Sequence, residues 1–273
     1  MRTFSTVGLF LFAAVIVAGT LPGYSVTFVG SQACEECHSP EYNQYLRHSH
    51  GQSKGPLPDE TGIGCEACHG PGVNHVYYTI EELSAMAEES LDLQIVVYPD
   101  MKTCGGCHGT VEETTIKLAS DHLIQHMQSY NELVHAGGMS SNTCITCHNP
   151  HISSKLPKGI NVSCAHCHPQ VSVNIPQMAE QVACLDCHMP FAVSAGTGTM
   201  VNEYQKGEYR SHLFGISVDP AYRLNDGSGN AALDGDGSAQ LTVDMTCAAC
   251  HQTDEAPAFS REQLLENAPK VHN

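Results

Sequence analysis

Apolar residues are thinly spread along this chain, and where they recur with a period it is mostly a helical one. Between Thr114 and Val134, Ile116, Leu123, Met127 and Leu133 fall partly in phase with a 3.6-residue turn, and Gly137-Gly138 follows as a stop. That pattern predicts a long helix. Pro40–His50 and Ile80–Leu93 also have helical composition, the second with acidic residues early. Gln94–Tyr98 (QIVVY) is the one short run that reads as a strand. From Gly196 to Asp244 a long insertion rich in Gly, Asp and Asn breaks every period. The expected fold class is mainly α with extensive irregular loops and little strand. At the start, Arg2 precedes an unbroken apolar run, Val7–Ala18 (VGLFLFAAVIVA), which is short for a membrane span. Residues 1–25 therefore read as an export signal, with an uncleaved membrane anchor as the alternative, and 26–273 as a single domain.

Composition changes the picture. The 273 residues include no Trp, only 6% aromatic residues, 24 Gly and 14 Pro, a poor supply for an ordinary side-chain core. Something other than side chains is expected to fill the interior. The formal charge is −17, from 12 basic and 29 acidic residues. Nucleic acid is thereby excluded as a partner, and a basic protein or a mineral or cationic surface is favoured.

The cysteines decide what that filling is. All 14 fall into seven Cys-x-x-Cys pairs, and each pair is followed at once by His. The pairs are Cys34/Cys37, Cys65/Cys68, Cys104/Cys107, Cys144/Cys147, Cys164/Cys167, Cys184/Cys187 and Cys247/Cys250; the histidines are His38, His69, His108, His148, His168, His188 and His251. Zinc sites and redox dithiols also use such pairs. With 17 His in the chain, seven such coincidences have a chance probability on the order of 10⁻⁹, so the pattern reads as c-type haem attachment. Cys at i and i+3 lie about one helical turn apart, where both thiols reach one edge of a porphyrin, and the next residue offers its imidazole to the iron. Each pentapeptide is expected to be a short helical turn. Covalent attachment of this kind agrees with export. Calcium is a weaker candidate cofactor: Asn225–Asn230 and Asp234–Gly237 suggest a calcium loop but lack the spacing and final Glu of an EF-hand, and a turn-rich loop is the favoured reading.

Ten further histidines can supply second axial ligands. His151 lies three residues beyond His148 across Pro150; the haem at Cys144/Cys147 cannot easily take it, whereas a neighbouring haem can. His48 and His50 point to different sides of a helix, so at most one serves a given iron. His75 follows a Gly-Pro-Gly turn, and His122 and His126 are one turn apart on the expected 114–134 helix, with His135 at its end. His212 is the one His of the insertion. His166, inside a motif, is expected to point away from the ring, and His272, near Asn273, to fray.

Beyond class, CEECHSPEYNQYLRHSHGQS resembles the first-haem segment of the multihaem cytochromes that include the tetrahaem electron carrier of ammonia oxidisers, with Tyr42, Tyr45 and His50 in matching places and His48 where Ser is usual. GCEACHGPGVNH is similar to the second-haem segment. QHMQSYNEL with CITCHNPH is similar to the middle haems, and CLDCHMP with GEYRSHLFGI to the distal half of related cytochromes. The resemblance implies His50, His75, His126, His135, His151 and His212 as distal ligands. His122 is the candidate for the seventh, ahead of His48, with Met139 or an open position as alternatives. It also implies electron transfer between redox proteins. The same superfamily contains pentahaem nitrite reductase and octahaem hydroxylamine oxidoreductase, which need an open iron. The reductase-like members often carry a Lys proximal ligand, and no Cys-x-x-Cys-Lys occurs in this chain. A carrier is therefore favoured over an enzyme. A third reading is a filament in which other copies of the chain contribute ligands.

Overall fold

The computed structural model describes residues 28–53, 63–77, 95–202, 204–253 and 256–272. The expected export segment and the expected helix at 80–93 lie outside these residues.

Short helical turns dominate among the described residues, and six of the thirteen α-helices lie on attachment motifs. In chain order they are α1 (Ser39–Tyr45), α2 (Ser49–Gln52), α3 (Cys65–His69), α4 (Val73–Tyr77) and α5 (Met101–His108). After a hairpin follow α6 (Ser129–Val134), α7 (Cys144–Cys147), α8 (Cys164–Cys167), α9 (Pro176–Ala179) and α10 (Cys184–His188). The last are α11 (Val243–Thr246), α12 (Ala248–His251) and α13 (Arg261–Asn267). The first motif departs from this form. Its 3₁₀ turn, Ser31–Cys34, ends on the first cysteine, and Cys37 lies beyond it in a plain turn rather than in the helical turn expected of the pentapeptide. One bond still closes it, from the His38 N–H to the Cys34 carbonyl at 2.9 Å. The same i+4 bond recurs from His148 to Cys144 and from His168 to Cys164, each at 2.9 Å. A motif thus needs only one turn's worth of its own hydrogen bonds, and Asp100 caps the longest of these turns by accepting from Thr103 N–H at 2.9 Å.

The long helix expected over Thr114–Val134 is not formed. Its first part is a hairpin of β1 (Leu118–Ser120) and β2 (Leu123–Gln125), with Leu118 opposite Ile124, and only α6 is helical. β2 runs parallel to β3 (Val193–Ser194), so Ile124 pairs with Val193. The helical phase is incomplete, and tertiary pairing wins: Leu123 and Ile124 are fully buried, which a single helical stripe would not achieve for adjacent residues. Gln128 then locks the hairpin, accepting from Lys117 N–H at 2.7 Å and donating to the Lys117 and Gln125 carbonyls at 3.0 and 2.8 Å. Met127, at φ 68°, sets the turn into α6. The expected strand at 94–98 is also absent where described: residues 95–98 are irregular, and Val97 and Tyr98 are exposed. The chain there straps His69 instead.

The insertion is not a loose loop. Leu213, Leu224, Ala231, Ala239 and Leu241 from it join Ile116, Ile124, Val193 and Met245 in the main apolar cluster. Two further short pairings tie it in: β4 (Thr199–Val201) with β5 (Tyr204–Lys206), antiparallel, and β6 (Ile216–Ser217) with β7 (Leu241–Thr242), parallel. A second cluster of Tyr204, Val243, Ala248 and Leu264 packs the last motif against α13. The polar tips of the insertion are turns: Asn225 accepts from Gly227 and Gly229 N–H, Asp226 from Ser228 and Asn230, and Asp234 from Asp236 and Ser238. The suggested calcium ligands are engaged with their own backbone, and no cluster of metal-binding side chains occurs there among the described residues.

Candidate haem-binding sites

Consecutive motifs lie beside one another. The Cys65 N–H donates to Ser31 Oγ at 3.0 Å, joining the second motif to the turn that carries the first. Burial, then the nearby Cys104 and Cys107, pushes the Cys68 thiol up, and Cys104 hydrogen-bonds Cys144. Burial followed by Cys164 and Cys167 raises Cys147, and burial followed by Cys184 raises Cys164. Cys187, pushed up to about 11 by burial, lies near Cys247 and Cys250. These influences trace the motifs in sequence order through the molecule.

Of the attachment cysteines, Cys37, Cys107, Cys164, Cys167 and Cys184 are exposed in the polypeptide, and the other nine are partly covered.

Five proximal histidines each face a second one. Ring centroids are 6.3 Å apart for His38 and His75, 6.1 Å for His69 and His151, and 5.9 Å for His108 and His50. They are 6.1 Å apart for His148 and His212, and 5.6 Å for His188 and His272. An imidazole nitrogen sits about 2 Å from a metal it binds. Two rings on opposite sides of one iron therefore have centroids roughly 6 Å apart, and the donor set fits haem iron.

The His188–His272 pair shows most directly why something belongs between the rings. Its Nε2 atoms are 3.4 Å apart. The two Nδ1 atoms face the carbonyls of Phe214 at 2.7 Å and Ser172 at 3.1 Å. A carbonyl only accepts, so both Nδ1 atoms carry hydrogen, and two neutral imidazoles then aim bare lone pairs at each other. His69 is held likewise, with Nδ1 donating to the Val96 carbonyl at 2.6 Å, and His251 by the Pro257 carbonyl at 2.8 Å. Such bonds fix the tautomer that leaves Nε2 free for a metal. Burial, then His48 and His108, pulls His50 down to about 4; burial, then His148 and His108, does the same to His212. Both are neutral at pH 7, the form that ligates.

Other expected ligands are placed differently. His122 is exposed in the β1–β2 turn, and His126 stacks on Tyr209 at 4.0 Å, so the two share no helix face. His135 has both ring nitrogens against backbone carbonyls, Gly237 at 2.8 Å and Thr114 at 3.1 Å. His48 caps α2, its Nδ1 accepting from His50 N–H at 3.0 Å. His166 and His168 are exposed, and His251 stacks on Phe259 at 4.6 Å; among the described residues neither His168 nor His251 has a facing histidine within ring contact. His272, expected to fray, is instead anchored. Val271 accepts from Asn174 N–H at 2.7 Å and His272 bridges Val173. Nothing local in the sequence signals this; the partners lie about 100 residues away.

Two carboxylates support the sites. Glu66, inside the second motif and 3% exposed, accepts from the N–H groups of Val29, Gly30 and Gly72 at 3.0, 2.8 and 2.6 Å. Glu132 is fully buried and accepts from Ser211 Oγ and His212 N–H, both at 2.7 Å. Burial pushes its pKa up to about 7 against these hydrogen bonds.

Residues 55–158 match the family of outer membrane MtrC/MtrF-like cytochromes, domains II/IV. Among curated proteins, the chain is 29% identical over 178 residues to the C-type polyheme cytochrome OmcB of Geobacter sulfurreducens, covering 62% of this chain and 21% of that protein. It is 27% identical over 180 residues to the multiheme cytochrome MtrA of Shewanella baltica, covering 52% of this chain and 53% of the relative. The chain thus spans about half the length of one relative and a fifth of the other. A solved structure, the octaheme sulfite reductase MccA of Wolinella succinogenes in form II, aligns over 74% of this chain and 36% of its own at 17% identity and a TM-score of 0.44. No helix among the described residues is long and apolar enough to cross a membrane. The chain thus carries seven attachment motifs and is similar, over part of its length, to multihaem c-type cytochromes.

Proposed function

We propose that the chain transfers electrons between redox proteins through seven covalently attached c-type haems, as an exported periplasmic or extracellular cytochrome. The observation that carries this reading is the set of five facing histidine pairs, on motifs that follow one another through the molecule. Each haem supplies a one-electron iron couple; the protein holds it by two thioethers and one or two imidazoles and tunes it by burial and by hydrogen bonds to the ligand rings. In this reading His75, His151, His50, His212 and His272 serve as distal ligands opposite His38, His69, His108, His148 and His188. Haems bound at these five sites would each be held by two imidazoles, which suits electron transfer. The likeness of the first-haem segment to the tetrahaem carrier of ammonia oxidisers points the same way. So do the names of the two curated relatives, which are cytochromes. The acidic surface suits basic redox partners.

A filament subunit is the second reading. It is favoured by His168 and His251, which have no facing histidine among the described residues, so that another copy could supply a ligand there. Redox titration followed in the visible region tests the main reading, with a broad potential span expected. One steep wave would contradict it. Negative-stain images of the secreted protein separate discrete particles from ordered fibres.

A further inference from the structure

Ring orientation is secured in two ways in this protein. His69, His188, His251 and His272 each direct Nδ1 at a backbone carbonyl. His75 and His212 do not: their Nδ1 atoms are buried and have no hydrogen-bond partner among the described residues. For these two the aim of the ring has to come from the main chain. In both cases the main chain is held by a buried carboxylate that makes no ion pair among the described residues.

We propose that Glu66 and Glu132 are positioning residues that aim His75 and His212 at their irons through the backbone rather than through the ring. This role rests on the ligation proposed above. Glu66 sits within the second motif, so attachment of that haem fixes its backbone. Its carboxylate then gathers Val29 and Gly30, which lead into the first motif, together with Gly72, which leads into α4 and His75. One side chain thereby sets the distance between His38, which closes the first motif, and His75, which lies on α4 beyond the second. Space is tight: a Cβ on Gly72 would lie 3.3 Å from Glu66 Oε1 and 3.3 Å from Val29 Cγ2. Glu132, on α6, takes His212 N–H and Ser211 Oγ on one oxygen, and Ser211 Oγ accepts in turn from Leu213 N–H at 3.0 Å. Three successive residues around the ligand are fixed by one carboxyl group.

The two carboxylates differ in what can replace them. Three N–H donors converge on Glu66, and an amide there would turn its NH₂ against one of them, so Gln does not substitute. Glu132 receives its partners on a single oxygen, which Gln retains.

The test uses purified, haem-loaded protein. CO binding by the reduced form is measured per chain, along with the high-spin EPR signal of the oxidised form. Glu66→Gln and Glu132→Ala are each expected to gain one CO-binding haem, as His75→Ala and His212→Ala do. Glu132→Gln should stay as wild type, and added imidazole should abolish the gain. The doubles Glu66→Gln/His75→Ala and Glu132→Ala/His212→Ala should add nothing further, because both changes remove one ligand. Histidine variants that gain CO binding beside carboxylate variants that do not would overturn the positioning role. Histidine variants without a gain would overturn the ligation itself. Should Glu66→Gln or Glu132→Ala not accumulate with haem, Glu66→Asp and Ser211→Ala are read in the same way. A partial gain is expected from them, and wild-type CO binding would refute the role.

Discussion

Replacing His272 by Ala tests the pairing where it is least visible in sequence. The side chain makes one hydrogen bond, to the Ser172 carbonyl at 3.1 Å, so its loss costs about 1 kcal/mol. The neighbouring backbone bond from Asn174 to Val271 and the bridge between Val173 and His272 do not involve the ring and persist. The fold therefore stays, and the change concentrates on one iron. If His272 is the ligand opposite His188, the variant exposes one axial position in seven. The ferric protein should gain one high-spin haem per chain, and the reduced protein one CO-binding haem above the wild-type level. The total is counted by pyridine haemochrome. His166→Ala is the control, since that ring is exposed and faces no proximal histidine among the described residues. Equal CO binding in wild type and His272→Ala, or an equal gain in the control, would refute the pairing.

Further expectations follow from other sites. His135→Ala should leave the haem spectrum unchanged while lowering stability by about 1–2 kcal/mol, because it removes contacts to Gly237 and Thr114 and not to iron. A denaturant melt with parallel spectra checks both. Gly105→Ala, inside the third motif, puts a Cβ 2.7 Å from the Tyr130 ring, and overpacking of that kind costs about 1–3 kcal/mol in the same melt. Glu132 gives a pH signature. Its pKa rises from 4.5 unfolded to about 7 folded, so the unfolded chain holds fewer protons between those values and stability falls as pH rises through the window. The loss is up to about 3 kcal/mol by pH 7, and Glu132→Gln should remove that slope. A variant whose melting profile keeps the wild-type slope would count against the assignment.

The attachment chemistry of this chain and its class, short helices and loops with little strand, are legible in the sequence; its tertiary pairings are not. A covalent haem imposes fixed spacing on Cys, Cys and His within about one turn, so the attachment motifs stand out in any reading. Spacing does not fix the form of each turn, and Cys37 lies outside a helix. Distal ligands carry no such local constraint. His50, His75, His151 and His212 nonetheless stand out, by turn geometry or family resemblance, and each faces a proximal histidine. His272 escapes notice because its partners, Ser172 and His188, come from distant sequence. The 114–134 segment misleads for a related reason: its helical phase is partial, and pairing with Val193, about 70 residues on, decides the matter. The Gly- and Asp-rich insertion conceals a core. Its apolar residues are few and scattered between turns, yet Leu213, Leu224 and Leu241 converge on one cluster. Glu66 and Glu132 give no sequence signal, since their partners are backbone N–H groups, which every residue except proline carries.

The most direct check on the whole account is a spin count on the oxidised protein at neutral pH, set against its haem content by pyridine haemochrome. Seven haems per chain are expected, with at least five giving low-spin bis-histidine signals. Fewer than five low-spin haems would contradict it.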